Sequence, residues 1–187
     1  MPVHRPRVGP LLVFLGPAFW REFLTKMTDP SDALKSFQQA LVDGEIQLQR
    51  GQIDPGLFVH LDRPNRQPRF TYVRLQRQTV TALVILVISD SIEENPCFQI
   101  GYAVPEAYRS QGRAKNAVGA AIIELKHGLA KNKISTFYVE AIVGTDNEAS
   151  KHVAAATIST TPVEVTDQFS GLPALHYVRK IGEDAAG

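Results

Sequence analysis

The 187-residue sequence contains a single cysteine, Cys97, which excludes an internal disulfide framework and a cysteine-based zinc finger. Long hydrophobic runs are also missing. The longest, Ala82 to Ile88, falls far short of the roughly 20 residues that a spanning helix needs. Near the start, Leu11 to Leu15 is cut off by Gly16-Pro17 and then by Arg21 and Glu22, which does not fit the apolar core of a signal peptide. We therefore expect a cytoplasmic protein without membrane association. Neither charge sign dominates: 20 Lys and Arg stand against 19 Asp and Glu, a balance that argues against a dedicated nucleic-acid binder. The five histidines, His4, His60, His127, His152 and His176, stand at no recognised metal-ligand spacing, so no metal is expected. What is present, 44% hydrophobic and 21% charged residues, is the composition of an ordinary globular chain. A chain of this length buries enough surface to hold a core unaided. The expectation is one domain over residues 1–187, with 1–8 and 182–187 loose.

Patterning along the chain predicts a mixed architecture. Leu11 to Leu15 reads as a short strand, and Phe19, Phe23 and Met27 share one helical face. A second helix starts at Asp29-Pro30-Ser31, carries Leu34, Phe37, Leu41 and Val42 on its stripe, and stops at Gly44. Residues 50–69, with three prolines, read mostly as loop. Arg63, Arg66, Arg69, Arg74 and Arg77, faced by Asp62, form a basic patch that is either a solvated surface or an attractor for an anionic partner. Val80 to Ile88 predicts a strand buried on both faces. Ser89 to Pro96 reads as a polar connection and Cys97 to Val104 as the next strand. A long helix is expected from about Ser110 to Lys131, then a strand over Ile134 to Val143 and a short helix from Asn147 to about Thr157. Strands near Val163–Val165 and Ala174–Ile181 close the order. Cys97 to Val143 is thus a strand–helix–strand unit, and the rest reads as hairpins: a mixed, mostly antiparallel twisted sheet with helices packed over it.

The most informative stretch is Ile100-Gly-Tyr-Ala-Val-Pro-Glu-Ala-Tyr-Arg-Ser-Gln-Gly-Arg-Ala-Lys. A buried strand ends at Val104-Pro105, and Gln111, Gly112, Arg113 and Ala114 lead into the long helix. The first N–H groups of a helix lack internal partners and sit at the positive end of its dipole. Gly112 and Ala114 leave them open to an approaching phosphate, and Arg109, Arg113 and Lys115 add full positive charges. The pattern is neither that of dinucleotide-binding folds nor that of nucleotide hydrolases.

Arg109-x-x-Gly112-x-Ala114 resembles the acyl-CoA pyrophosphate loop of the GCN5-related N-acetyltransferase (GNAT) family. Asn147-Glu148-Ala149-Ser150, opening a helix after the next strand, is similar to the signature of its RimJ/RimL-type branch. The order of elements from about Leu11 to Ile181 also resembles that fold as a whole. The resemblance implies an α/β (α+β) GNAT fold with helices on both faces and a central βαβ unit that binds acyl-CoA where its two parallel strands splay apart. It implies that main-chain N–H groups from about Gln111 to Ala114 hold the pyrophosphate. It also implies that the backbone of Ile100 to Val104, including Tyr102, pairs with the pantetheine arm, with Asn147 bonding the pantetheine amides and Ser150 near the thiol. Acetyl-CoA would be the co-substrate and a primary amine, on a small molecule or a protein N-terminus, the acceptor.

Direct attack of an amine on a thioester requires a proton to leave the nitrogen, an oxyanion to be stabilised and a thiolate to be reprotonated. The oxyanion donor would be a strand N–H near Tyr102. Two proton carriers common in the family are absent, since Gln99 stands where a Glu is frequent and Ala154 where a Tyr is frequent. Ser150 is the acid candidate, its alternative role being to satisfy the helix N-terminus. Glu140 is the base candidate, directly or through water, its alternative being a salt-bridged or solvent-facing strand residue. Tyr102 and Tyr177 are candidates for the groove and also for the core, and an amine arriving already neutral would need no base. Cys97 reads as a small buried hydrophobe.

The acceptor wall is expected in the first third, with Phe19, Trp20 and Phe23 among its residues. Residues 1–80 carry 11 basic and 7 acidic side chains, which does not describe an acidic pocket for polycations. The alternative reading is a non-catalytic acyl-CoA-binding sensor or docking module of the same fold. A third, nucleic-acid binding through the arginine clusters, lacks an aromatic-basic motif. Exposed strand edges leave a homodimer open.

Overall fold

The β-branched and apolar run that begins at Val80 becomes part of the centre of an eight-stranded sheet. The computed structural model describes residues 30–182. In chain order these form α1 (Pro30–Val42), β1 (Gln49–Arg50), β2 (Leu57–Asp62), β3 (Arg69–Gln76), β4 (Thr79–Ile92), β5 (Asn95–Ala103), α2 (Arg113–Lys131), β6 (Phe137–Gly144), α3 (Glu148–Thr157), β7 (Val163–Thr166) and β8 (Pro173–Ile181). The sheet runs β1-β2-β3-β4-β5-β6-β8-β7, and all neighbours are antiparallel except β5 and β6. The expected strand near Leu11, the helix of Phe19, Phe23 and Met27, and the acceptor wall with Trp20 lie outside the described residues.

Both faces of β4 are covered from Val80 to Leu86, where every residue is buried, whereas Ile88, expected to be buried in the same run, is 46% exposed. Ala82, Val84 and Leu86 pack with Phe98, Ile100, Val118, Leu125 and Phe137 beneath α2 and α3. Val80, Leu83 and Ile85 pack with Leu34 and Phe37 of α1 on the other face. Gln38 of α1 pins the β3–β4 turn, donating to the Gln78 carbonyl and accepting from the Val80 N–H. After α1 the chain turns at Gly44, whose φ of +73° suits a helix stop.

Three expectations need correction. Residues 50–69, read mostly as loop, contain a strand that this reading missed: Leu57–Asp62 pairs along its whole length with β3. Its flanking prolines, Pro55, Pro64 and Pro68, lie outside the strand and bound it rather than break it. Ser89 to Pro96 is not a connection either. β4 continues to Ile92, and Glu93 and Glu94, both at positive φ, make the two-residue turn into β5. That turn carries no Asn or Gly to announce it. Glu93 is held in place by Tyr138 and Lys180, which both donate to its carboxylate. Finally, the basic patch is divided. Arg69 makes a two-pronged pair with Asp62, and Arg74 another with Asp54, so their charges are spent within the sheet. Arg63, Arg66 and Arg77 are exposed.

The β5–α2–β6 crossover positions the site. β5 and β6 pair in parallel through Cys97–Tyr138, Phe98–Val139 and Gln99–Glu140, and pairing stops there. Both strands continue, β5 to Ala103 and β6 to Gly144, so the sheet opens into a V whose apex is at Gln99 and Glu140.

Candidate functional site

The wall of this opening formed by β5 ends at Val104-Pro105, followed by a short 3₁₀ turn over Glu106–Tyr108 and then by α2. Ser110 and Gly112 both take positive φ, +57° and +69°, which curls the chain so that α2 begins with its first turn exposed. No side chain caps that turn, and the first helical hydrogen bond runs from Asn116 N–H to the Gly112 carbonyl. A Cβ at Gly112 would meet nothing within 4 Å. The space above the helix N-terminus is therefore open, as an anion site of this kind requires.

A cleft of about 660 Å³ joins this N-terminus to the open V. Tyr102, Val104, Arg109, Gly112, Arg113, Ala114, Asn147 and Ser150 all line it. Lys115 lines it too, so three cations and an uncapped helix end face a cleft with no carboxylate in its lining among the described residues. Arg109 donates from Nε to the Val104 carbonyl at 3.2 Å, which draws its guanidinium against the end of β5. Arg113 stacks over the Tyr108 ring at 4.8 Å and donates to Gln111. Gln111 itself braces the loop and does not line the cleft.

The opposite wall is the start of α3. Asn147 caps this helix, its Oδ1 accepting from the Ser150 N–H at 3.0 Å. That use occupies the side-chain oxygen and leaves the amide nitrogen as the donor for a ligand. The Ser150 hydroxyl has no partner among the described residues. Tyr102 reaches across from β5 and donates its hydroxyl to the Ser150 carbonyl at 2.7 Å, tying the two walls together. Burial pushes the Tyr102 phenol up to about 12, so it stays protonated at neutral pH. Tyr177 is buried in the adjoining core.

Glu140 stands apart from these residues. Side chains two apart on a strand share a face and neighbours alternate. Phe98, Ile100 and Tyr102 face α2 and α3, whereas Gln99 and its row partner Glu140 face the α1 side. Glu140 accepts from Ser89 and lies 2.7 Å from His176 Nε2, and it does not line the cleft. The catalytic candidates thus divide between the two sides of the sheet, with the open V between them.

Ser31, Tyr108 and His152 also line the cleft, and none of them stood out in the sequence. His152 Nδ1 lies 2.9 Å from the Glu148 carbonyl, which can only accept, so its Nε2 is the nitrogen left to accept. Its place three residues after Ala149 on α3 was the available signal. A shallower hollow of about 420 Å³ elsewhere on α2 has Asp54 and Arg74 as its charged lining, and these neutralise each other.

No protein-family model matches the sequence, and no curated protein matches it. Among solved structures, similar chain paths occur in GNAT acetyltransferases. A ribosomal-protein-S5-alanine acetyltransferase from Vibrio fischeri is 18% identical with a TM-score of 0.46, covering 64% of each chain. An acetyltransferase of the GNAT family from Streptococcus pneumoniae is 13% identical with a TM-score of 0.46, covering 61% of this chain and 67% of that one. RimL, a ribosomal L7/L12 alpha-N-protein acetyltransferase in complex with coenzyme A, is 18% identical with a TM-score of 0.45, covering 62% of this chain and 64% of that one. The chain therefore spans a little under two thirds of the length of the first and third of these.

Proposed function

We propose that this protein binds acyl-CoA in the β5–β6 opening and transfers the acyl group, acetyl in the simplest case, to a primary amine. The observation that carries the reading is the joining of two features in one cleft: an uncapped, glycine-opened helix N-terminus flanked by Arg109, Arg113 and Lys115, and a parallel strand pair that parts beyond Gln99 and Glu140. The first suits a diphosphate. The second leaves the β5 backbone beyond Gln99 with unpaired hydrogen-bonding groups for an extended, amide-bearing arm.

Acetyl-CoA is the group-transfer substrate, and the chain's own residues hold it and manage protons. The Gly112–Ala114 main chain and the three cations bind the diphosphate. Val104 and Tyr102 lie along the arm, and the Asn147 amide nitrogen donates to it. A β5 N–H near Tyr102 stabilises the oxyanion. Tyr102, committed to the Ser150 carbonyl, positions α3, and the unpartnered Ser150 hydroxyl supplies a proton to the departing thiolate. The acceptor is a small-molecule amine or a protein N-terminus.

A second reading, acyl-CoA binding without turnover, is favoured by Gln99 and Ala154 standing where proton carriers are frequent in the family that the motif resembles. Titration calorimetry with acetyl-CoA and a thiol-release screen over primary amines separate the two. Wild type should bind in the micromolar range, and Ala114→Glu should abolish binding by setting a carboxylate against the diphosphate. Binding with no thiol release from any amine would favour the second reading. No binding by the folded wild type would refute both.

A further inference from the structure

The α1 side of the sheet carries a polar cluster of its own at the apex of the V. Ser89 Oγ donates to Glu140 Oε1 at 2.5 Å, and His176 Nε2 lies 2.7 Å from Oε2. Cross-strand register brings the three together. Val87, Gln99, Glu140 and Val178 form one row, Ser89, Cys97, Tyr138 and Lys180 the next, and His176 stands opposite Ile142 on the open-end side. Glu140 is the last residue of β6 to pair with β5, so this cluster borders the gap directly. Side-chain exposure is 12% for Glu140 and 28% for His176, so the imidazole is the more accessible of the two.

Both oxygens of the Glu140 carboxylate are already occupied. Ionised, it accepts from Ser89 on one side and from His176 Nε2–H on the other, which leaves the imidazole lone pair on Nδ1. Resting on the acyl-transfer reading above, we propose that His176 Nδ1 is the base that takes the amine's proton, directly or through one water. Glu140 is then its positioning residue, and Ser89 fixes the carboxylate. The nitrogen forms its bond to the acyl carbon as the carbon–sulfur bond breaks. One proton passes from nitrogen to Nδ1, and the thiolate takes one from Ser150, which solvent restores.

Among the described residues, the other groups facing this pair do not compete with it. The Cys97 thiol is buried, and Tyr138 and Lys180 both donate to Glu93 on the β4–β5 turn. On β7, Val163 is the residue opposite His176, and Glu164 pairs with Leu175, whose side chain faces the other side of the sheet.

Two measurements test the assignment. In the free protein, side-chain ¹⁵N NMR should show His176 as the Nε2–H tautomer, a preference that Glu140→Gln should weaken. A Nδ1–H tautomer overturns the proposal. With acetyl-CoA and an amine found by the screen, His176→Gln should lower kcat/KM by about 100-fold and remove the acid-side inflection of its pH profile. Acetyl-CoA affinity should stay at the wild-type value. Glu140→Gln should lose less and keep that inflection. A wild-type profile for His176→Gln, or a larger loss for Glu140→Gln, overturns the assignment. Failure of wild type to bind acetyl-CoA overturns the acyl-transfer reading itself, and the binding isotherm tells that failure apart from a wrongly assigned base.

Discussion

Glu124 offers the sharpest test of how the frame around the cleft is held. It lies on α2, is 7% exposed, and accepts three backbone N–H groups from the β1–β2 loop. Ile53 and Asp54 donate to Oε1 at 2.7 Å each, and Gln52 to Oε2 at 3.0 Å. The loop approaches so closely that a Cβ at Gly51 would sit 2.6 Å from Oε1 and 2.4 Å from the Asp54 carbonyl, which is why that position is glycine. Hydrogen bonds to a charged group contribute roughly 1.5–3 kcal/mol each, but Gln52 and Ile53 are exposed enough for water to replace part of the loss. Glu124→Ala should therefore cost about 3 kcal/mol rather than the sum of three bonds. At this chain length that corresponds to a fall in Tm of roughly 6–12 °C. Glu124→Gln keeps one acceptor but turns an NH₂ group toward a donor, and should cost about 2 kcal/mol.

Burial pushes the Glu124 carboxyl up, but the N–H groups of Asp54, Gln52 and Ile53, with His127 nearby, outweigh it and hold the group below its ordinary value. The folded-state value is thus lower than the unfolded one. The stabilisation is fully present above the ordinary carboxylate value of 4.5 and is lost as pH falls through the folded-state value. Urea unfolding at several pH values should show the gap between wild type and Glu124→Gln largest near neutral pH and closing in acid. A cost below about 1 kcal/mol for Glu124→Ala, or a gap that widens in acid, would refute the reasoning.

Two further outcomes follow from the same geometry. Cys97 is fully buried, and burial together with nearby Glu140 pushes its thiol up to about 12, so it should resist alkylation in the native protein and react at once in denaturant. Gly112→Ala should cost about 1–2 kcal/mol in urea unfolding, because φ is +69° while the space around the position is open. Gly112→Asn, which tolerates that conformation, should cost less.

The elements that line the cleft were legible because local signals specify them. Gly112 before an apolar-striped helix marks the start of α2, and Asn147 three residues before Ser150 marks the cap of α3. Both depend on backbone groups within a few residues. The β-branched content of Val80 to Ile88 likewise predicts a strand covered on both faces, and α1 and α2 cover it as far as Leu86. β2 and the Glu93–Glu94 turn escaped because their stability comes from partners distant in the chain: the β3 ladder for one, Tyr138 and Lys180 for the other.

The sequence by itself determined the order of most elements and the glycine-opened start of α2, because helix ends, caps and strand periodicity are short-range physics. Only the tertiary structure decided which side of the sheet each polar side chain faces and which charges neutralise one another. Arg69 meets Asp62 across two strands, and Ser89, Glu140 and His176 converge from three. A change of one residue in cross-strand register would send each of these side chains to the opposite face. That register is set by the packing of the whole sheet, which no local stretch of sequence encodes.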